Sequence, residues 1–312
     1  MRSLLLLTLL FLSVAQSTSQ GGAKEDPFVV EGFVSPEGFP HVDLNTTALI
    51  LTDLLLYSLD PIHMDDMFEN CCLEAQHFKM ARQARAYKRD ETGNPLRLWL
   101  VVPFGSQWLD DEKTVDKRLQ SLVQFARRHQ LDGIDFCRQK DPLEVSFLDR
   151  AAAVFHRSGL LLSVTLQAGD TLQNYDKIDR IHVQAFGLPA FQYHAGATQT
   201  QFAVDRVGRS GAPARKVSVG IPLYTKDHDN RRVPIRDILY DPFQVQSSEP
   251  GVWQGLYYES AYLTRQKAEW SLREPFGGVF LWMLGDDRVT DDHPVGTILE
   301  AIAKTWQEVR GT

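Results

Sequence analysis

The sequence predicts an α/β protein: one (β/α)8 TIM barrel of parallel strands, with some shortened helices and no large inserted domain. Three observations predict it. Eight short apolar runs bounded by turn residues suit strands buried on both faces. Amphipathic helical spacing separates several of these runs. No repeat, linker or composition shift divides the 312 residues, and barrels of about 250 residues or more fold as one unit.

The runs are Phe28–Val34, Ala48–Leu56, Leu96–Phe104, Gly133–Phe136, Leu160–Leu166, Arg180–Phe186, Lys216–Leu223 and Gly277–Leu284. Residues 65–89 form a long helical candidate. In 115–130, Val115, Leu119, Leu122 and Ala126 share one face, Lys117, Arg118, Arg127 and Arg128 face solvent, and Asp110 or Asp111 caps the start. In 143–158, Leu143, Phe147, Ala151 and Val154 repeat the pattern and Gly159 stops it. Only short connections join the first run to the second and the fifth to the sixth, so the helices there are stunted or replaced by loops. The longest insertion runs from Tyr224 to Phe276.

One positive charge at Arg2, an apolar run from Leu4 to Leu12 and small residues at Ser13 to Ser17 read as a secretory signal peptide over 1–17. A polar, Gly-rich leader covers 18–27, and the barrel covers 28–312. The expected location is therefore extracellular or the secretory-pathway lumen, which makes Asn45-Thr46-Thr47 a usable N-glycosylation sequon. Three cysteines, Cys71, Cys72 and Cys137, leave two arrangements open: one of the first two bridges Cys137, or all three are thiols. No later run reaches the ~18 apolar residues of a membrane span. With 33 basic against 40 acidic residues and no basic block, nucleic acid is a poor partner. The histidines are scattered, and neither paired metal-ligand spacings nor a phosphate-cradling glycine loop appears, so neither a metal nor a cofactor is expected.

Chemistry in such barrels sits at the C-terminal ends of the strands. The fourth run continues as Leu131-Asp132-Gly133-Ile134-Asp135-Phe136-Cys137-Arg138-Gln139. Acids in an apolar strand are costly unless paired, so a polar strand start plus one satisfied buried Asp explains them as readily as a function does. The segment resembles glycoside hydrolase family 18, the chitinases and chitinase-like lectins, whose fourth strand carries Asp-Gly-x-Asp-x-Asp-x-Glu. Asp132 and Asp135 take the first two positions, Cys137 the third, and Gln139 that of the general acid. Lys216 to Tyr224 resembles the family's seventh strand. Gly277-Gly278-Val279-Phe280-Leu281-Trp282 resembles its eighth, with Trp282 at the tryptophan that floors the sugar site. The sixth run ends Gln184-Ala185-Phe186-Gly187 where the family has Met-x-Tyr-Asp.

The resemblance implies substrate-assisted hydrolysis, with the Glu protonating the glycosidic oxygen while the third Asp and the Tyr orient the attacking acetamide. Gln139 has no proton to deliver, Cys137 brings no fixed charge when buried, Phe186 lacks the hydroxyl and Gly187 the carboxylate. Losing the general acid alone removes about 10²–10⁴-fold in rate. The first reading is thus a secreted, catalytically inactive chitinase-like protein. Asp132, Asp135, Cys137, Gln139 and Phe186 form its degenerate catalytic motif. It binds an N-acetylglucosamine-containing glycan or a protein partner through Trp282, Tyr224, Asp135 and Gln139; Trp108 and Trp253 extend a groove or simply pack. The second is a glycoside hydrolase with relocated carboxylates, drawn from Glu31, Asp170, Asp286 and Asp287, whose bland reading is surface acids and helix caps. The third is a structural or partner-binding barrel whose cleft Phe186 fills.

Overall fold

The computed structural model describes residues 28–57, 75–105, 108, 111–138, 143–187, 195–227, 229, 231–238, 251–253, 255–287, 289 and 296–310. Strands β1 (Val29–Val34), β2 (Asp53–Tyr57), β3 (Arg97–Phe104), β4 (Gly133–Arg138), β5 (Leu161–Gln167), β6 (Arg180–Gln184) and β7 (Val217–Pro222) pair in parallel in sequence order. Two short antiparallel ladders follow, β8 (Tyr224–Lys226) with β9 (Arg232–Pro234) and β10 (Gly251–Trp253) with β11 (Leu256–Tyr258). Then β12 (Gly278–Leu284) inserts between β7 and β1 and closes an eight-stranded barrel. All eight predicted runs become barrel strands, and among the described residues no large domain is inserted.

Alternation along each strand builds two cores. Side chains such as Ile134, Phe136, Ile181, Val183, Val279 and Leu281 face the helices. Their neighbours face the axis, where Phe33, Leu55, Tyr57, Trp99, Val101 and Phe280 pack together. Gly133 is opposite Trp99 in register, and a Cβ there would lie 2.2 Å from the Trp99 ring, so the indole fits only against glycine.

The helices are α1 (Leu44–Ala48), α2 (Ala75–Thr92), α3 (Glu112–His129), α4 (Val145–Arg157), α5 (Ala197–Arg209), α6 (Ala261–Arg273) and α7 (Thr297–Arg310). Asp111 caps α3, accepting from the Lys113 and Thr114 amides. Gly159, at φ +74°, follows α4. The first connection holds a single turn (Phe39–His41) and the five-residue α1; residues 168–179 join β5 to β6 without a helix. One boundary differs from expectation. The second run was to begin at Ala48, but Asp43 accepts from the Asn45 and Thr46 amides and starts α1, so 48–50 finish that helix and its turn, and β2 begins at Asp53. Residues 1–27, Cys71, Cys72, Asp110 and Gln139 and the Trp253 side chain lie outside the described residues. Among the described residues no helix is long and apolar enough to cross a membrane.

Candidate functional site

The barrel axis carries a buried ionic chain. Asp135 on β4 accepts from Ser163 Oγ (2.7 Å), Thr165 Oγ1 (2.8 Å) and His182 Nδ1 (3.0 Å). The other ring nitrogen of His182 lies 3.1 Å from Glu31 Oε1 on β1, and Ser218 donates to the same carboxylate. All of these side chains are buried. Burial works against an imidazolium, but the Glu31 charge and the hydrogen bonds that the ring donates to Asp135 and Glu31 outweigh it and raise His182 from 6.5 to about 9. Burial likewise opposes an ionised Glu31, yet the His182 and Arg180 charges bring it down from 4.5 to about 2. At neutral pH Glu31 is a carboxylate and His182 an imidazolium, and Asp135 accepts hydrogen bonds from Ser163, Thr165 and His182.

Above this chain the interior turns apolar and aromatic. Phe280 and Trp282 point inward from β12. The partly exposed Trp282 ring lies 5.0 Å from Phe33, 5.3 Å from Tyr57 and 6.5 Å from Phe186 between centroids. Phe186 in turn meets Tyr224 edge-on at 6.1 Å. Gly220 makes room: a Cβ there would lie 2.7 Å from both Phe186 Cε1 and Phe280 Cζ. Cys137 belongs to the same cluster as Phe33 and Tyr57 and is a buried free thiol, which leaves the thiol arrangement for this residue. Burial, then the Asp135 charge, pushes its thiol well above the ordinary range, so it is neutral. Burial also pushes the Tyr224 hydroxyl up to about 12.

The other acids are engaged. Asp170 pairs with Arg138 and accepts from the Gln167 amide (3.0 Å). Asp286 pairs with Arg232 and lies 3.4 Å from Arg236. Asp287 accepts from the Ile298 (3.0 Å) and Leu299 (3.3 Å) amides at the start of α7. Asp132 takes the Leu98 amide (2.7 Å) and the Arg85 guanidinium at the N-terminal end of β4. Among the described residues no group of three or more His, Cys, Asp or Glu side chains could hold a metal. Trp108 is buried against Phe136 and Phe147, so it packs.

The sequence model of glycosyl hydrolases family 18 matches residues 103–287, from the end of β3 through the mouth end of β12. The chain belongs to glycosyl hydrolases family 18. The fold agrees. The GH18 chitinase ChiB of Flavobacterium johnsoniae superposes with a TM-score of 0.74 at 16% identity, over 91% of this chain and 95% of that one. A Cycas revoluta GH18 chitinase in complex with (GlcNAc)3 gives 0.66 at 14%, over 89% and 99%. The class V chitinase of Nicotiana tobaccum gives 0.65 at 14%, over 90% and 99%. No curated protein matches the chain in sequence.

Placed on this family-18 barrel, the fourth-strand motif separates by depth. Asp132 braces the base, Asp135 is locked into the axial chain, and Cys137 packs among the mouth aromatics. Trp282, Phe186 and Tyr224 are brought together at the mouth; Asp135 lies below them in the interior and is fully buried. Sequence reasoning counted His182 among scattered histidines and Glu31 among candidate acids, and missed that they meet. The signal was present: Glu31 and His182 each alternate with apolar neighbours, which puts both on the axis side of their strands.

Proposed function

We propose that this family-18 chain is a secreted, catalytically inactive chitinase-like protein that binds an N-acetylglucosamine-containing glycan at the barrel mouth. The observation that carries the reading is Cys137: a neutral, buried thiol stands where the resemblance calls for a carboxylate. Phe186 adds a second loss, because a ring without a hydroxyl cannot hold an acetamide by hydrogen bonding. Gln139 adds a third at the general-acid position. The aromatic mouth favours binding nonetheless, since ring faces stack on the C–H face of sugars. Family members bind such ligands: the Cycas revoluta chitinase is in complex with (GlcNAc)3, and a Glu-to-Gln mutant of the Nicotiana tobaccum class V chitinase is in complex with NAG4. Those sugar complexes favour a glycan over a protein partner.

The test combines calorimetry with chitotetraose and turnover of a fluorogenic chitobioside. Expected are binding that Trp282→Ala weakens about tenfold or more, and no turnover. Turnover abolished by Trp282→Ala or Asp135→Ala overturns the inactive assignment. Absent binding of chitotetraose and of acidic oligosaccharides that carry an N-acetylated amino sugar overturns the glycan assignment. Secretion is tested by expression in a eukaryotic host. The mature chain should begin near residue 18 and carry an N-glycan that Asn45→Gln removes; Asn45 is exposed in the first turn of α1. A cell-retained chain still starting at Met1 would refute that part.

A further inference from the structure

The hairpin leaving β7 borders the aromatic mouth and carries a charge arrangement that the inactive-lectin reading does not use. Tyr224 and Lys226 alternate with the buried Thr225 on β8, so they share a face. Across the ladder Lys226 is directly opposite Arg232. Like charges directly opposite on an antiparallel pair destabilise it. Arg232 is relieved: its guanidinium pairs with Asp286 and sits 4.6 Å over the Tyr224 ring. Arg236 reaches the same Asp286 carboxylate, at 3.4 Å. Lys226 is not relieved in this way. Its Nζ donates to the Gly187 carbonyl (2.8 Å), and among the described residues no carboxylate pairs with it.

That carbonyl belongs to the residue after Phe186, so the ammonium sits beside the ring path Trp282, Phe186, Tyr224. The hairpin is pinned there. Leu223 N donates to Trp282 O (2.7 Å), Ile235 N to Leu223 O (3.0 Å) and Arg236 N to Asp286 O (2.9 Å). A cation held beside a stacking platform by a backbone carbonyl, with no carboxylate partner among the described residues, is an anion site awaiting its ligand.

We propose that the glycan bound at the mouth is acidic: a sugar ring stacks on Trp282, Phe186 and Tyr224 while its carboxylate or sulfate group pairs with Lys226. The proposal rests on the glycan-binding reading above and specifies its ligand. Three tetrasaccharides are titrated into the full chain at about 50 and 300 mM NaCl: neutral chitotetraose, hyaluronan tetrasaccharide for the carboxylate and a chondroitin sulfate tetrasaccharide for the sulfate. At low salt at least one acidic probe binds about tenfold or more tighter than the neutral one. Both acidic probes carry glucuronate carboxylates, so tighter binding of the chondroitin sulfate assigns sulfate recognition, and equal or tighter binding of hyaluronan assigns the carboxylate. High salt and Lys226→Met each collapse that preference, and the salt series on the unaltered chain does not depend on how the variant folds.

If chitotetraose binds in a Trp282-dependent way and as tightly as both acidic probes, the acidic-ligand inference is overturned while the glycan reading stands. If an acidic probe wins but its advantage survives both high salt and Lys226→Met, the Lys226 assignment is overturned. If none of the three binds, both readings are overturned together.

Discussion

The buried Glu31–His182–Asp135 chain makes stability depend on pH in a calculable way. His182 is raised from 6.5 to about 9 in the folded chain. At about 1.4 kcal/mol for each tenfold change in proton affinity, that difference corresponds to about 3 kcal/mol. The folded value exceeds the unfolded one, so the stabilisation is fully present below pH 6.5 and is lost as pH rises from 6.5 through 9. Lys88 runs the other way. Burial depresses its ammonium from 10.5 to about 8, so the fold is penalised below pH 8 and recovers between 8 and 10.5. A reference variant separates the two: Glu31→Gln with His182→Gln removes one buried charge of each sign, keeps the Ser163 and Thr165 donors to Asp135, and leaves Lys88 untouched. Urea unfolding at pH values from about 6 to 9.5 gives the stability of each chain. The wild-type advantage over the reference should shrink by about 3 kcal/mol across that range, most of it between 6.5 and 9. An advantage that stays constant within about 1 kcal/mol would mean that His182 is already neutral inside the barrel, and the ionic chain as described would be wrong.

Three further outcomes follow from particular contacts. Gly220→Ala should cost about 1–3 kcal/mol in urea unfolding, because the new methyl meets Phe186, Phe280 and the Val183 carbonyl at 2.7 Å, and it should alter near-UV circular dichroism from the mouth aromatics. Lys267→Met should destabilise by about 3–5 kcal/mol, since it strands Glu259, a fully buried carboxylate whose partner Nζ lies 2.6 Å away; adding Glu259→Gln should recover much of the loss. Gln139→Glu alone should give no chitobioside turnover, because Cys137 and Phe186 still fail to orient an acetamide. Turnover from that single change, lost again on mutating Trp282, would show that the other positions are dispensable.

The barrel was legible in the sequence because strands buried on both faces are written as continuous apolar runs, and all eight stood out. Helices with clean amphipathic stripes, α3 and α4, were legible for the same reason. Helix α6 was not: its buried face includes Thr264, Lys267 and Ser271, and only the Glu259 carboxylate makes a buried Lys267 tolerable. No period of apolar residues marks such a helix; the partner is visible only in three dimensions. Helix α7, which buries Ile298, Leu299 and Ile302, was not read from the sequence either. The mouth was legible through one motif and one tryptophan. The axial chain and the Lys226–Arg232 pair were not, since each depends on which strands become neighbours.

The depth of the fourth-strand motif explains how a family-18 barrel stays folded while positions 137 and 186 depart from the family pattern. Asp132 and Asp135 hold structural bonds, to the Leu98 amide and Arg85 in one case and to Ser163, Thr165 and His182 in the other. Replacing either would leave buried donors without an acceptor, a loss of about 1–3 kcal/mol for each group. Positions 137 and 186 carry no such obligation. A carboxylate at 137 would have to be ionised among Phe33, Leu55 and Tyr57, where charge is costly without a partner, whereas a thiol fills the same space neutrally. Phe186 gains ring contacts with Tyr224, Phe280 and Trp282. The departures from the family pattern thus fall at positions where a neutral side chain packs without leaving a buried donor or acceptor unpaired, so they remove no structural bond from the barrel.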